Sequence, residues 1–255
     1  MPSHPEFDAD GAAPPARTDP YAHAHKALRH ALAALLLRLG TLDAHDDAQV
    51  QAALRELQAV LALAATHRRL ADGQLHPALA ERQPPACHAA DGCGTPPART
   101  AETTAPGDPA HEIARLTALA DSAGRCHHPA RRAELLDRLY RAYAGHAAAL
   151  LQQLALEQES QLPRFHVLFS DTELQALQRR ATADLPRWER LDLLLRLADG
   201  LNPDELAALL LARRDDGAPE AWLAGAMAVQ GRVGATRWDA IAARLQAAGA
   251  LPPAR

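Results

Sequence analysis

Hydrophobic residues recur at intervals of three and four along several long stretches of the chain, which is the spacing of an amphipathic α-helix. The first stretch runs from about residue 19 to about residue 39, and His25 extends its apolar stripe toward the N-terminus. The second is capped by Asp46 or Asp47 and runs to about residue 70, and His67 lies on its apolar face. Each stretch therefore predicts a helix with a histidine on the side that would be buried.

A break separates these two helices from the next two. Residues 82–108 contain several prolines and glycines and show no hydrophobic period, which predicts a long flexible insert. After the insert, the pattern predicts a short helix over about residues 110–123. His111 lies in its first turn.

A fourth and longer helix is predicted over about residues 130–161. Its inner row of apolar residues continues to Glu157, one turn before its expected end. Pro163 is interpreted as the stop signal, because proline lacks the N–H that a helix interior needs.

Beyond this point the pattern resets into shorter periods that begin with capping residues. Ser170 and Glu173 have the spacing of a capping box, and Asn202 precedes a proline at a first helical position. We predict four short helices here, either packed on the first four or forming a small separate domain. The predicted organisation is a disordered segment 1–18, a four-helix domain 19–165 and a helical extension 166–255.

Composition agrees with an all-α protein. Apolar residues make up 48% of the chain and aromatic residues only 4%, and alanine, leucine and arginine, which are good helix formers, dominate. The net charge of −4 and the lack of a long basic run argue against nucleic-acid binding. No apolar stretch is long enough to span a membrane, and the first residues do not resemble a signal peptide, so we expect a cytoplasmic protein.

The four helices predict a common location for four polar residues. In an up-down four-helix bundle, the starts of odd helices and the ends of even helices lie at the same end. His25 and His111 are near helix starts, and His67 and Glu157 are near helix ends. Three imidazoles and a carboxylate are ligands that suit non-haem iron. We therefore predict a metal site formed by these four residues.

Several stretches resemble motifs of the hemerythrin-like (HHE) family. Residues 25–29 (HKALR) resemble the first-helix motif, and residues 67–79 resemble the second-helix stretch with its later Pro-x-Leu. Residues 157–163 (EQESQLP) resemble the matching stretch of the fourth helix. Residues 170–174 (SDTEL) are similar to a segment that follows the bundle in one bacterial branch of the family.

The resemblance implies a four-helix bundle that holds two bridged irons and binds or senses O₂, NO or iron. His25, His67 and Glu157 match ligand positions of the family. Ala71 stands where the family has a bridging glutamate, and Gln153 stands where it has a histidine four residues before the carboxylate. The chain therefore departs from the family pattern at two ligand positions.

These departures leave several alternatives open. The remaining ligands suit one ion better than two, and a chain without these ligands could also hold no metal. In that case it would be a helical scaffold that binds a protein partner. The partner of the metal-binding form would be a metal ion or a small diatomic molecule. No nucleophile elbow, phosphate loop or paired acid–base spacing is present, which argues against an enzyme.

A second group of metal-ligand types lies outside the helices. Cys87, Cys93 and Cys126 are the three cysteines, and histidines follow the first and the last of them directly. Such residues can bind zinc, but the five residues between the first two cysteines exceed the usual zinc spacing. Cysteines without a specific role are the alternative.

Overall fold

A computed structural model describes residues 17–83, 109–215 and 218–252. Over these ranges the chain is all-helical and contains no β-strand, so the prediction of an all-α protein is confirmed. None of the described helices combines the length and the apolar character that crossing a bilayer requires. The predicted disordered segment 1–18 and the predicted flexible insert 82–108 lie outside the described residues except at their edges.

The described residues form eleven α-helices. In chain order they are α1 (Ala22–Gly40), α2 (Asp47–Leu70), α3 (His76–Arg82), α4 (Pro109–Arg125), α5 (Pro129–Leu156), α6 (Leu162–Leu168), α7 (Asp171–Ala183), α8 (Arg187–Gly200), α9 (Pro203–Asp215), α10 (Pro219–Val233) and α11 (Ala235–Ala247). The first, second, fourth and fifth correspond to the first four helices that the hydrophobic pattern predicts.

Two π-helical turns join consecutive helices without a break. The first π-turn (Ala71–Leu75) links α2 to α3, and the second π-turn (Glu157–Gln161) links α5 to α6. After each, the next residue donates its N–H to the carbonyl five residues back, and a proline follows. Proline in a regular helix lacks an N–H and clashes with the carbonyl four residues back, and the wider turn accommodates both defects. The prediction that Pro163 ends the helix is therefore wrong, because the helix continues to Leu168.

Capping follows the sequence pattern. Asp46 accepts a backbone N–H at the start of α2 at 2.9 Å, so it is the cap rather than Asp47. Ser170 and Glu173 form a reciprocal capping box at the start of α7. Asn202 accepts a backbone N–H at the start of α9 at 2.9 Å. These local signals therefore predict correctly where three helices begin.

Helix α1 lies at the centre of the packing. It contacts α2, α5 and α8, while α4 contacts α2 and α5. One hydrophobic core joins Leu28 and Leu32 of α1 to Leu194 of α8 and to Ile241 and Leu245 of α11. The C-terminal helices therefore pack on the preceding helices, as in the first of the two predicted arrangements.

A second, smaller core lies beside the π-turns. It contains Tyr21, Ala71 and Leu75, together with Phe165 of α6 and Leu174 of α7. Ala71 is the first residue of the first π-turn, and Glu157 is the first residue of the second. This small core covers the group of polar residues described next.

Candidate metal centre

Three of the four predicted ligands come together in the structure. The Nε2 atoms of His25 and His67 lie 3.0 Å and 3.1 Å from the same oxygen, Oε2 of Glu157. One potential ligand atom from each residue lies within 4.8 Å of the others. All three side chains are buried, with at most 6% of each exposed. We call these residues the His–His–Glu group.

Three separate elements supply the group. His25 lies in the first turn of α1, His67 in the last turn of α2, and Glu157 at the start of the second π-turn. Because these residues are 42 to 132 positions apart in the chain, only the packing of the three elements brings them together. π-Helical turns inside α-helices are frequent at functional sites, and this one begins at a candidate ligand.

The carboxylate of Glu157 is held in its charged form. Burial by itself raises the pKa of this carboxyl group, but hydrogen bonds from His25, His67 and Gln153 outweigh burial and hold the pKa well below its usual value. Gln153 donates its side-chain N–H to Oε1 at 2.9 Å. An ionised carboxylate only accepts hydrogen bonds, so both Nε2 atoms carry hydrogen when no metal is bound.

Tyr21 is a part of this site that the sequence analysis missed. Its ring stacks on that of His25, with centroids 4.9 Å apart and planes 21° apart. Its hydroxyl donates to Oε1 of Gln161 at 2.8 Å. Burial, followed by the charge of Glu157, raises the pKa of the phenol, so it stays protonated. The signal was present, because Tyr21 precedes His25 by four residues and one helical turn separates them.

The fourth predicted ligand is elsewhere. His111 is exposed in the first turn of α4 and does not belong to the His–His–Glu group. The sequence predicts a shared helix end for all four residues, but a first-turn residue reaches the interior only if it lies on the buried face. Among the side chains of α4 that the structure describes, the first buried one is Leu116, and His111 is five positions before it, on a different face.

Ala71 and Gln153 stand at the two positions where the chain departs from the hemerythrin-like pattern, and both have defined contacts. Ala71 is 2% exposed and packs in the small core with Leu75 and Tyr21. Gln153 contacts Glu157 directly, so it positions the carboxylate from its second oxygen. His76, one π-turn further along, is 3.0 Å from a carboxylate oxygen of Asp72 and lies outside the group.

The cysteine cluster finds no support within the described residues. Cys87 and Cys93 lie outside the residues that the structure describes. Cys126 is half-buried, with its sulfur 3.6 Å from the carbonyl oxygen of His128. Between residues 109 and 215, as in the other described ranges, no second group of three metal-ligand side chains comes together.

His146 of α5 gives the protein a predicted pH dependence. Burial lowers its pKa, the charge of Glu112 partly offsets this, and the charge of Arg68 adds to it. Its Nε2 is buried and has no hydrogen-bond partner among the described residues. The unfolded chain therefore binds a proton at a higher pH than the folded chain does, and stability falls as the pH drops below about 6.5.

We expect the free energy of unfolding of the metal-free protein to decrease between pH 7 and pH 5.5 because of this residue. Urea unfolding at several pH values measures the change. His146→Gln should reduce the slope of unfolding free energy against pH relative to the parent. An identical slope in His146→Gln and the parent would contradict this assignment.

The chemistry of the His–His–Glu group suits one divalent ion. Two imidazoles and one carboxylate form the set that non-haem Fe(II) sites use while keeping further positions open. The three ligand atoms are close enough for a single ion with bonds of about 2.0–2.2 Å after small side-chain shifts. Comparison with known proteins finds no matching family model, no matching curated protein and no matching solved structure.

Proposed function

We propose that α1, α2, α4 and α5 form an up-down four-helix bundle of the hemerythrin type that binds one non-haem iron ion. The contacts of α1 with α2, α2 with α4, α4 with α5, and α5 with α1 support the bundle, because together they close a ring of four helices. The proposed role is to bind or sense O₂, NO or iron itself.

A single observation carries the metal proposal. The Nε2 atoms of His25 and His67 converge on one oxygen of Glu157 in a region closed to solvent. Buried carboxylates and histidines are expensive to desolvate, and a metal ion is one of the few partners that use all three at once. The three residues also occupy the ligand positions that the hemerythrin-like resemblance implies.

One ion is proposed rather than two. A pair of irons needs bridging carboxylates, and Ala71 and Gln153 stand at two of the positions that would supply further ligands. Neither an alanine methyl nor an amide that already donates to Glu157 replaces a carboxylate or an imidazole. The remaining ligands are enough for one ion with open positions.

The chain's own residues would have distinct tasks at such a centre. His25, His67 and Glu157 would hold the ion, and Gln153 would orient the carboxylate through its second oxygen. Tyr21 would fix the ring plane of His25 by stacking and shield it from water. An Fe(II) ion held in this way would supply open positions for a small diatomic ligand.

Iron titration tests the proposal. We expect metal-free protein, supplied with Fe(II) without oxygen and then desalted, to retain about one iron per chain. At an iron concentration about 100 times the dissociation constant, binding to the native state should raise stability by about 2.7 kcal/mol. Both measurements use the full chain.

Variants then identify the ligands. His67→Gln and Glu157→Gln should each reduce retained iron to less than about 0.2 per chain. His111→Gln is the matched control, because His111 is an exposed histidine outside the group, and it should retain iron as the parent does. Failure of the parent to retain iron or gain stability would reject the proposal, and loss of iron in His111→Gln would reject the three-residue site.

A metal-free scaffold that binds a protein partner is the second candidate function. One observation favours it: the carboxylate of Glu157 already accepts hydrogen bonds from both histidines and from Gln153. In addition, Nδ1 of His25 is buried without a partner among the described residues, whereas a metal on Nε2 would require hydrogen on Nδ1. If this is the function, the protein should retain no iron. The parent and His67→Gln should then form equally stable complexes with the protein partner.

A further inference from the structure

A cavity of about 580 Å³ shares no lining residue with the His–His–Glu group. It is bordered by α1 and α2 and by the C-terminal helices α8, α10 and α11. Five arginines line it: Arg38, Arg55, Arg196, Arg232 and Arg237. Two carboxylates, Glu56 and Asp199, also line it. We call it the arginine cavity.

Carboxylates hold three of the five arginines in place. The pairs are Arg38 with Glu56 at 2.6 Å, Arg232 with Asp199 at 2.7 Å, and Arg196 with Asp192 at 2.6 Å. Arg196 also donates to the carbonyl of Ala59 at 2.9 Å, which links α8 to α2. Each guanidinium has five N–H donors, and the recorded bonds use one or two of them. The paired arginines therefore keep fixed orientations and further donors.

The other two arginines are not neutralised. Among the described residues, neither Arg55 nor Arg237 has a carboxylate partner, and Arg237 donates only to the carbonyl of Leu201. After pairing, the lining keeps an excess of two positive charges. The whole chain has a net charge of −4, so the arginine cavity is a local concentration of positive charge.

Apart from its charged residues and His30, the lining of the arginine cavity is apolar. The lining residues between the arginines are mostly aliphatic: Ala31, Ala34, Ala52, Ala59, Val60, Leu63 and Val233. Alanines on both α1 and α2 leave room that larger residues would fill. A volume of this size and a mixed apolar and charged lining are typical of small-molecule sites.

We propose that the arginine cavity binds a small organic dianion, a phosphate ester or a dicarboxylate. Two unpaired guanidinium groups match two negative charges, and their planar N–H pairs suit carboxylate and phosphate oxygens. The aliphatic part of the lining, which includes four alanines, takes the apolar part of the ligand. The proposal does not depend on a metal ion in the His–His–Glu group.

Calorimetric titration of metal-free protein tests it with three probes. Phenyl phosphate represents phosphate esters, succinate represents dicarboxylates, and acetate is the singly charged control. We expect saturable binding of one dianion per chain by phenyl phosphate, succinate or both, and binding at least about tenfold weaker for acetate. Raising the salt concentration should weaken binding, since the attraction is between charges.

Charge variants at Arg55 locate the site. Arg55 is exposed and has no ion-pair partner among the described residues, so its replacement should not affect folding. Arg55→Gln should weaken dianion binding by about fivefold and Arg55→Glu by more. Arg164→Glu is the matched control, because Arg164 is exposed on α6 away from the cavity, and it should bind as the parent does.

The comparison of the two dianions identifies the chemical class of the ligand. Tighter binding of phenyl phosphate assigns a phosphate ester, and tighter binding of succinate assigns a dicarboxylate. The proposal is overturned if neither binds saturably, if acetate binds as well as they do, or if Arg164→Glu weakens binding as much as Arg55→Glu.

Discussion

Replacing Glu157 by leucine should destabilise the metal-free protein by about 3–5 kcal/mol. The change keeps most of the side-chain volume but removes the acceptor shared by His25 and His67, together with the acceptor of Gln153. Two buried imidazole N–H groups then lose their partner, and each such loss costs about 1–3 kcal/mol. Urea unfolding at pH 7 measures the effect.

A matched pair of variants shows whether the cost comes from the group itself. Glu159→Leu changes an exposed carboxylate two residues away and should alter stability by less than about 0.5 kcal/mol. Changing His25, His67 and Glu157 together to leucine removes donors and acceptor at once, so it should recover part of the loss. If Glu157→Leu left the free energy of unfolding unchanged, the hydrogen bonds among the three side chains would not stabilise the folded protein.

Substituting Gly200 by alanine should have the other large effect, a loss of about 3 kcal/mol or more. Gly200 is the last residue of α8, and α8 packs on α1. A Cβ atom there would lie 2.6 Å from the Cα of Ala27 and 3.2 Å from the carbonyl oxygen of Lys26. Both are backbone atoms, so the two helices would have to move apart.

A second helical glycine provides the control. Gly231 of α10 has nothing within 4 Å of an added Cβ, so Gly231→Ala should raise stability by about 0.5–1 kcal/mol. Chemical unfolding of both variants beside the parent measures the contrast. Equal effects at the two positions would contradict the close contact between α8 and α1.

Local signals predicted much of the secondary structure. The residues that cap α2, α7 and α9 can be found in the sequence, since a cap depends only on neighbours three positions away. The same local reasoning was wrong at Pro163, which it interpreted as the end of a helix. A π-helical turn accommodates it, and no local pattern indicated that turn.

The residues of the candidate metal centre were also predicted only in part. The spacing of hydrophobic residues predicted that His25 and His67 lie on the apolar faces of their helices, and both are buried. His111 was assigned by its position near a helix start, without a supporting phase, and it is exposed. Tyr21 was overlooked because a tyrosine on an apolar stripe is normally part of the core, and its stacking partner depends on where the ring of His25 points.

The sequence by itself therefore determined that this protein is helical, where many of its helices begin, and that His25 and His67 face the interior. Only the tertiary structure decided that His25 and His67 meet at one oxygen of Glu157, and that five arginines surround one cavity. The physical reason is range: helix formation and capping depend on residues within about one turn. Convergence instead depends on the rotation and spacing of whole helices, which the packing of many side chains sets together.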